Sequence, residues 1–157
     1  MLAVRPGRRA LGFTIVEILI VVSIVATLAV IAIPAYMNYR ERARVKHAIA
    51  ELTVLSLIIN QYHADWGQYP PALAAVANAS KPDPWGRPYV YVNLQNAKGQ
   101  GQARKNKNLV PINSDYDLYS VGKDGQSVAP LTAPASRDDV IRANDGGFFG
   151  LARDYEP

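Results

Sequence analysis

Glu17 is the residue whose position packing alone explains least. It is a carboxylate inside Phe13 to Ile33, a run whose other polar interruptions are only Thr14, Ser23 and Thr27. An ionisable group at bilayer depth costs on the order of a few kcal/mol, which makes it a functional residue by default. The competing reading places it near enough to the helix start to reach the interface and gain from the helix dipole. Other reactive groups are sparse. The chain has no cysteine, hence no thiol nucleophile, no disulfide framework and no thiolate metal site. His47 and His63 have no Cys or second His at a metal-binding spacing and read as helix-surface residues. No Ser-His-Asp arrangement or paired-acid signature stands out. Gly99-Gln100-Gly101 is too little for a phosphate loop, since GxxxxGK[ST] occurs nowhere in the chain. The residues therefore point away from an enzyme.

The elements that position Glu17 follow from hydrophobic patterning. Phe13 to Ile33 would extend roughly 30 Å as a helix, the thickness of a bilayer core. An ordinary secretory signal would place a small-residue cleavage site after that run. Instead Pro34 and Ala35 follow, then the polar and basic stretch Asn38 to Lys46. Beyond Pro34, which should kink or loosen the helix, Val45, Ile49, Leu52, Leu55, Ile59, Tyr62 and Trp66 recur at spacings of three and four. That is one buried stripe on a helix. A single long helix from about Phe13 to Ala64 is predicted, with Gly67 as its stop.

The formal charge of +4 comes from 17 Lys and Arg against 13 Asp and Glu. Arg5, Arg8 and Arg9 lie in the first twelve residues, so the remainder is nearly neutral and nucleic-acid binding is not indicated. Arg8-Arg9 is also the pair of a twin-arginine export signal, but adjacent arginines are common in basic leaders. Arg40, Arg42, Arg44 and Lys46 beyond the apolar run counter the leader, so charge asymmetry alone leaves the orientation open.

Gly67-Gln68-Tyr69-Pro70-Pro71 breaks the helix, and Ala72 to Ala79 could form a short second one. Asp83-Pro84-Trp85-Gly86-Arg87-Pro88 is turn-rich and leads into a strand at Tyr89 to Val92, with a second strand expected at Tyr116 to Val121. Between them Asn96 to Asn108, with Lys98, Arg104, Lys105 and Lys107, reads as a solvated hairpin loop. Asp124-Gly125 reads on its own as a turn, and Arg137-Asp138-Asp139 as a helix start with acids in its first turn.

Gly12-Phe13-Thr14-Ile15-Val16-Glu17, preceded by Arg8-Arg9, resembles the prepilin peptidase site of type IV pilins and type II secretion pseudopilins. The resemblance implies cleavage between Gly12 and Phe13 on the cytoplasmic side and N-methylation of Phe13. It makes Glu17 and Pro34 residues of assembly. The chain then divides into a leader at 1–12, a membrane and filament-core helix at 13–34, and a periplasmic domain at 35–157 that includes the second half of the helix.

The order of helix, Tyr-Pro turn, Asp-Pro-Trp-Gly, strand and Ser120-Val121-Gly122-Lys123-Asp124-Gly125 looks like the G-type major pseudopilin of type II secretion. That likeness implies a pilin-like α+β fold, a long helix packed on a small antiparallel sheet with a C-terminal metal-binding loop. It implies calcium held by Asp124, Asp138 and Asp139 with a carbonyl near Val121. Three carboxylates and carbonyls suit an ion that takes six to eight oxygens, although Asp124 to Asp138 is longer than the family's spacing. The implied setting is the bacterial inner membrane, single-pass, with the domain in the periplasm. The implied partners are further copies of the chain, membrane lipid, prepilin peptidase, an inner-membrane assembly platform and minor pseudopilins. The alternative is a type IV pilus pilin serving adhesion, motility or DNA uptake. Such pilins often carry a C-terminal disulfide, which this chain cannot form.

Overall fold

A computed structural model of the chain describes residues 12–76, 81–95 and 103–156. Arg5, Arg8 and Arg9 of the leader, the end of the expected Ala72–Ala79 helix, and Lys98 with Gly99-Gln100-Gly101 lie outside the described residues. The chain divides into two compact units, Met1–Arg40 and Glu41–Pro157.

A single helix, α1 (Ile15–Trp66), passes from one unit to the other and runs without a break through Pro34. Its boundaries fall within two residues of those expected. In the first unit the large apolar side chains from Phe13 to Ile33 are exposed. The polar interruptions of this run are absorbed by the helix itself. Ser23 Oγ donates to the Ile20 carbonyl at 2.8 Å and Thr27 Oγ1 to the Ser23 carbonyl at 2.8 Å. Neither hydroxyl is left needing water.

The second unit packs the rest of α1 on a four-stranded antiparallel sheet in the order β1 (Val90–Asn93), β2 (Tyr116–Ser120), β3 (Val140–Ala143) and β4 (Phe148–Leu151). The register pairs Tyr91 with Leu118, Tyr119 with Ile141, and Ile141 with Gly150. Strand alternation assigns the two faces. Tyr116, Leu118 and Val140 join Ala48, Leu52, Leu55 and Ile59 of α1 in the main core. Ile141 and Ala143 turn to the opposite face and pack with Ile112, Leu131, Ala152 and Tyr155. Tyr116, fully buried, ties helix to sheet: its hydroxyl lies 2.8 Å from Ser56 Oγ and 3.2 Å from Asn60 Oδ1.

Several expectations need correction. Trp66 is 69% exposed rather than part of the stripe, whereas Ala48 and Ser56 are buried. The stripe ends with the partly buried Tyr62. The expected second helix is only a 3-10 turn at Leu73–Ala75. Arg137-Asp138-Asp139 does not start a helix; it follows a 3-10 turn at Pro134–Ser136 and leads into β3. Arg104 is not solvated but 2% exposed.

Leu52 is fully buried between α1 and the sheet, and Leu57, five residues on and facing away, is 65% exposed. Leu52→Ala is expected to cost about 2–5 kcal/mol, and Leu57→Ala within about 0.5 kcal/mol of nothing. Urea unfolding of the detergent-solubilised monomer, followed by tyrosine fluorescence, measures both.

Candidate functional site

The start of α1 is built by Thr14 and Glu17. The Glu17 amide donates to Thr14 Oγ1 at 3.2 Å. Glu17 Oε2 accepts in return from the Thr14 amide and the Thr14 hydroxyl, each at 2.8 Å. This reciprocal pair is a capping box, which satisfies two amides that a helix start would otherwise leave open. Thr14-x-x-Glu17 is its sequence signature, so the signal was legible, though Glu17 alone attracted attention. The carboxylate thus does part of its work inside its own chain. Only Oε2 is engaged; Oε1 has no hydrogen bond among the described residues. Gly12 and Phe13 lie just before the box, outside the helix. Phe13 is 84% exposed.

The second cluster joins the two turn motifs of the globular unit. Asp83, 4% exposed, folds its own turn. Its Oδ1 accepts from the amides of Trp85 at 3.0 Å and Arg87 at 2.8 Å. Its Oδ2 accepts from Ser120 Oγ at 2.5 Å, and Ser120 Oγ accepts from the Gly122 amide at 3.2 Å. Asp-Pro-Trp-Gly-Arg is thereby fastened to the end of β2. The turn aims Arg87 at the β2–β3 loop, where Nη1 donates to the Gly122 carbonyl at 2.6 Å. Both terminal nitrogens also lie 3.3 Å from the Lys123 carbonyl. Trp85 Nε1 donates to Glu41 at 3.0 Å, anchoring the turn to α1.

Of the residues expected to hold calcium, Asp138 accepts through Oδ2 from the amides of Lys123 at 2.8 Å and Asp124 at 3.0 Å. Asp124 is exposed, and its Oδ1 accepts from the Gln126 amide at 2.7 Å. Asp139 is fully buried and engages Arg104: Oδ2 lies 2.6 Å from Nη2 and 2.6 Å from the Ser127 hydroxyl. Arg104 Nη1 donates to Ser127 Oγ at 2.5 Å and to the Val128 carbonyl at 3.1 Å, and its Cζ stands 4.3 Å over the Tyr119 ring. Burial pushes the Asp139 carboxyl up to about 6 against the opposing pull of Ser127 and Arg104. Asp138 thus sits against the loop that carries Asp124, while Asp139 turns to Arg104. Among the described residues no three His, Cys, Asp or Glu side chains gather as a metal would require.

Sequence reasoning did not find Asp83, Arg87 or Arg104. The Asp-Pro-Trp-Gly motif was noted as a turn, yet what it positions, the next residue, was not. Arg104 and Arg142 were hidden by their charge. Each is buried beside an acid, Arg142 with bonds of 2.8 and 2.6 Å to Asp115 and its Cζ 4.0 Å over Tyr116.

A long apolar helix that begins on a capped Glu, continues as the spine of a small domain and packs on an antiparallel meander defines the pilin-like class. The family described as "Type II secretion system (T2SS), protein G" matches residues 35–133, and the chain belongs to it. It is 30% identical over 140 residues to the type II secretion system core protein G of Klebsiella pneumoniae, covering 85% of this chain and 94% of that protein. Identity is also 30% over 136 residues to core protein G of Escherichia coli K12, covering 73% and 83% respectively. A fimbrial protein of Neisseria meningitidis serogroup A is 30% identical over 135 residues, 85% of this chain and 79% of its own. No solved structure is significantly similar.

Replacing Thr14 by Val keeps the side-chain size and removes the cap's acceptor. A cap worth about 1 kcal/mol predicts roughly five-fold faster exchange of the Glu17 amide in micelles, with Thr14→Ser close to the parent. Hydrogen exchange followed by NMR reads this directly.

Proposed function

We propose that the chain is the major pseudopilin of a type II secretion system, a structural subunit without catalytic activity. It is inserted in the inner membrane with its leader in the cytoplasm and its domain in the periplasm. Prepilin peptidase cuts between Gly12 and Phe13 and methylates the new terminus. The processed subunit then passes, through an assembly platform and with minor pseudopilins, into a homopolymer that drives folded proteins through the outer membrane.

The observation that carries this reading is the exposed apolar half of α1. It is long and apolar enough to cross a membrane, and none of its most apolar stretch is buried. Such a surface must be covered by lipid or by like surfaces of other copies. Glue between copies is supplied by charge. Cleavage creates an ammonium at Phe13 that methylation leaves positive, and Glu17 has a free oxygen with which to meet a neighbour's terminus. In an apolar filament core that pairing fixes axial register more than it adds stability. Pro34 closes the apolar run and marks where the helix passes from filament core toward its domain.

A replacement of Gly12 by a bulky residue is expected to leave the precursor uncut and stop secretion of the exported proteins; secretion at the parental level from uncut precursor would refute the reading. The identity shared with the meningococcal fimbrial protein supports a second reading, a subunit of a surface pilus. Deleting the gene separates the two. Lost protein secretion with intact surface pili supports the pseudopilin, and lost pili with intact secretion supports the pilin.

A further inference from the structure

We propose that the β2–β3 loop of this subunit is closed by arginine where a divalent cation would otherwise act, with Arg87 and Arg104 as its two cross-links, so that the domain folds without calcium. The proposal is a property of the single chain and stands apart from the secretory role.

Three observations meet on it. First, several oxygens of this loop are already matched to N–H donors. Asp138 Oδ2 takes two loop amides, Asp124 Oδ1 takes a third, and the Gly122 and Lys123 carbonyls take the Arg87 guanidinium. Each of these bonds fastens the loop through the chain's own donors. Second, the loop is shaped around a guanidinium. Gly125 sits at φ +72°, and a Cβ placed there would come within 2.5 Å of Arg87 Cζ. A glycine at this position answers both demands, the left-handed backbone and the space taken by the arginine. Third, the far end of the loop is held in the same way. Arg104 bonds Ser127, Val128 and Asp139 together.

Two buried atoms, Asp139 Oδ1 and Arg104 Nε, have no partner. They are an acceptor and a donor on the two side chains that already pair through Oδ2 and Nη2. That is the pattern of a guanidinium–carboxylate fork with one bond of its two formed. A cation drawn to Oδ1 would be repelled by the guanidinium already bound to the same carboxylate. The two arginines therefore divide a calcium ion's duties. Arg87 gathers carbonyls from the start of the loop, and Arg104 neutralises the buried acid at its end. Both are planar fork donors, permanently charged, and neither responds to the ionic composition of the periplasm.

The test uses the mature full-length chain in detergent micelles. Its thermal midpoint is measured in millimolar calcium and in EGTA. A calcium site filled at about one hundred times its dissociation constant would raise the midpoint by about 5–10 °C; the arginine closure predicts agreement within about 1 °C, and a rise of several degrees overturns it. Arg104→Met would strand Asp139 in the core and could prevent folding, so the second arm uses Arg87→Met, which is only half-buried. Loss of its charge-assisted bonds predicts about ten-fold faster exchange of the Lys123 and Asp124 amides, with the β3 amides unaffected. Unchanged exchange at Lys123 and Asp124 would show that Arg87 does not close the loop.

Discussion

The apolar side chains of residues 13–33 have no cover among the described residues, and the molecule is organised around that fact. Burying one Leu, Ile or Val side chain is worth about 1.5–3 kcal/mol, so a run of this length represents a large unmet driving force. It cannot remain in water. Every polar group in the run is arranged to keep the surface usable by lipid or by other copies: Ser23 and Thr27 bond their own helix, and Glu17 turns back to cap it. The start of the helix therefore carries the only strong polar feature on an otherwise uniform apolar rod. A uniform rod offers no preferred axial position, whereas a rod with one carboxylate near its end does.

The same helix meets a different requirement in the domain. There the stripe Ala48, Leu52, Leu55 and Ile59 faces Tyr116, Leu118 and Val140, and Ser56 enters the core because the Tyr116 hydroxyl supplies its partner. The opposite face of the sheet is covered by irregular chain. Backbone bonds join Lys105 to Ala129 and Leu131, Asn106 to Leu109, and Ile112 to Arg104 in that layer. Without cysteines, the domain cross-links its two faces by buried ion pairs. Arg104 with Asp139, and Arg142 with Asp115, each cross-link distant segments. Such pairs add little net stability over a well-packed apolar alternative, but breaking one leaves an uncompensated buried charge. They suit a domain that must hold one loop arrangement while packing against copies of itself.

Hydrophobic period made α1 legible almost to the residue, and aromatic, β-branched runs revealed β1 and β2. The last two strands were not visible for local reasons. Val140–Ala143 contains Arg142, whose charge argues for the surface until Asp115 is seen beside it. Phe148–Leu151 carries Gly150, which weakens any strand signal. Arg104, expected to be solvated, is buried for a similar reason: charge predicts exposure unless the partner is known, and the partner lies 35 residues away. The turn motif around Asp83 showed its shape in the sequence but not its target. What Asp-Pro-Trp-Gly does, fixing Arg87 on the Gly122 and Lys123 carbonyls, depends on the β1–β2 register that brings the two turns together. Asp138 and Asp139 are adjacent in sequence yet point apart, because Asp138 faces the loop amides while Asp139, the next residue toward β3, faces the interior.

The central claim is that the exposed half of α1 exchanges lipid for copies of itself. Electron cryomicroscopy of filaments formed by the processed chain tests it most directly. The account predicts a core in which residues 13–33 of successive copies pack along the axis, with each Glu17 beside a neighbour's terminal nitrogen and the globular domains outside. Filaments held by the domains alone, with these residues free of contact between copies, would contradict it.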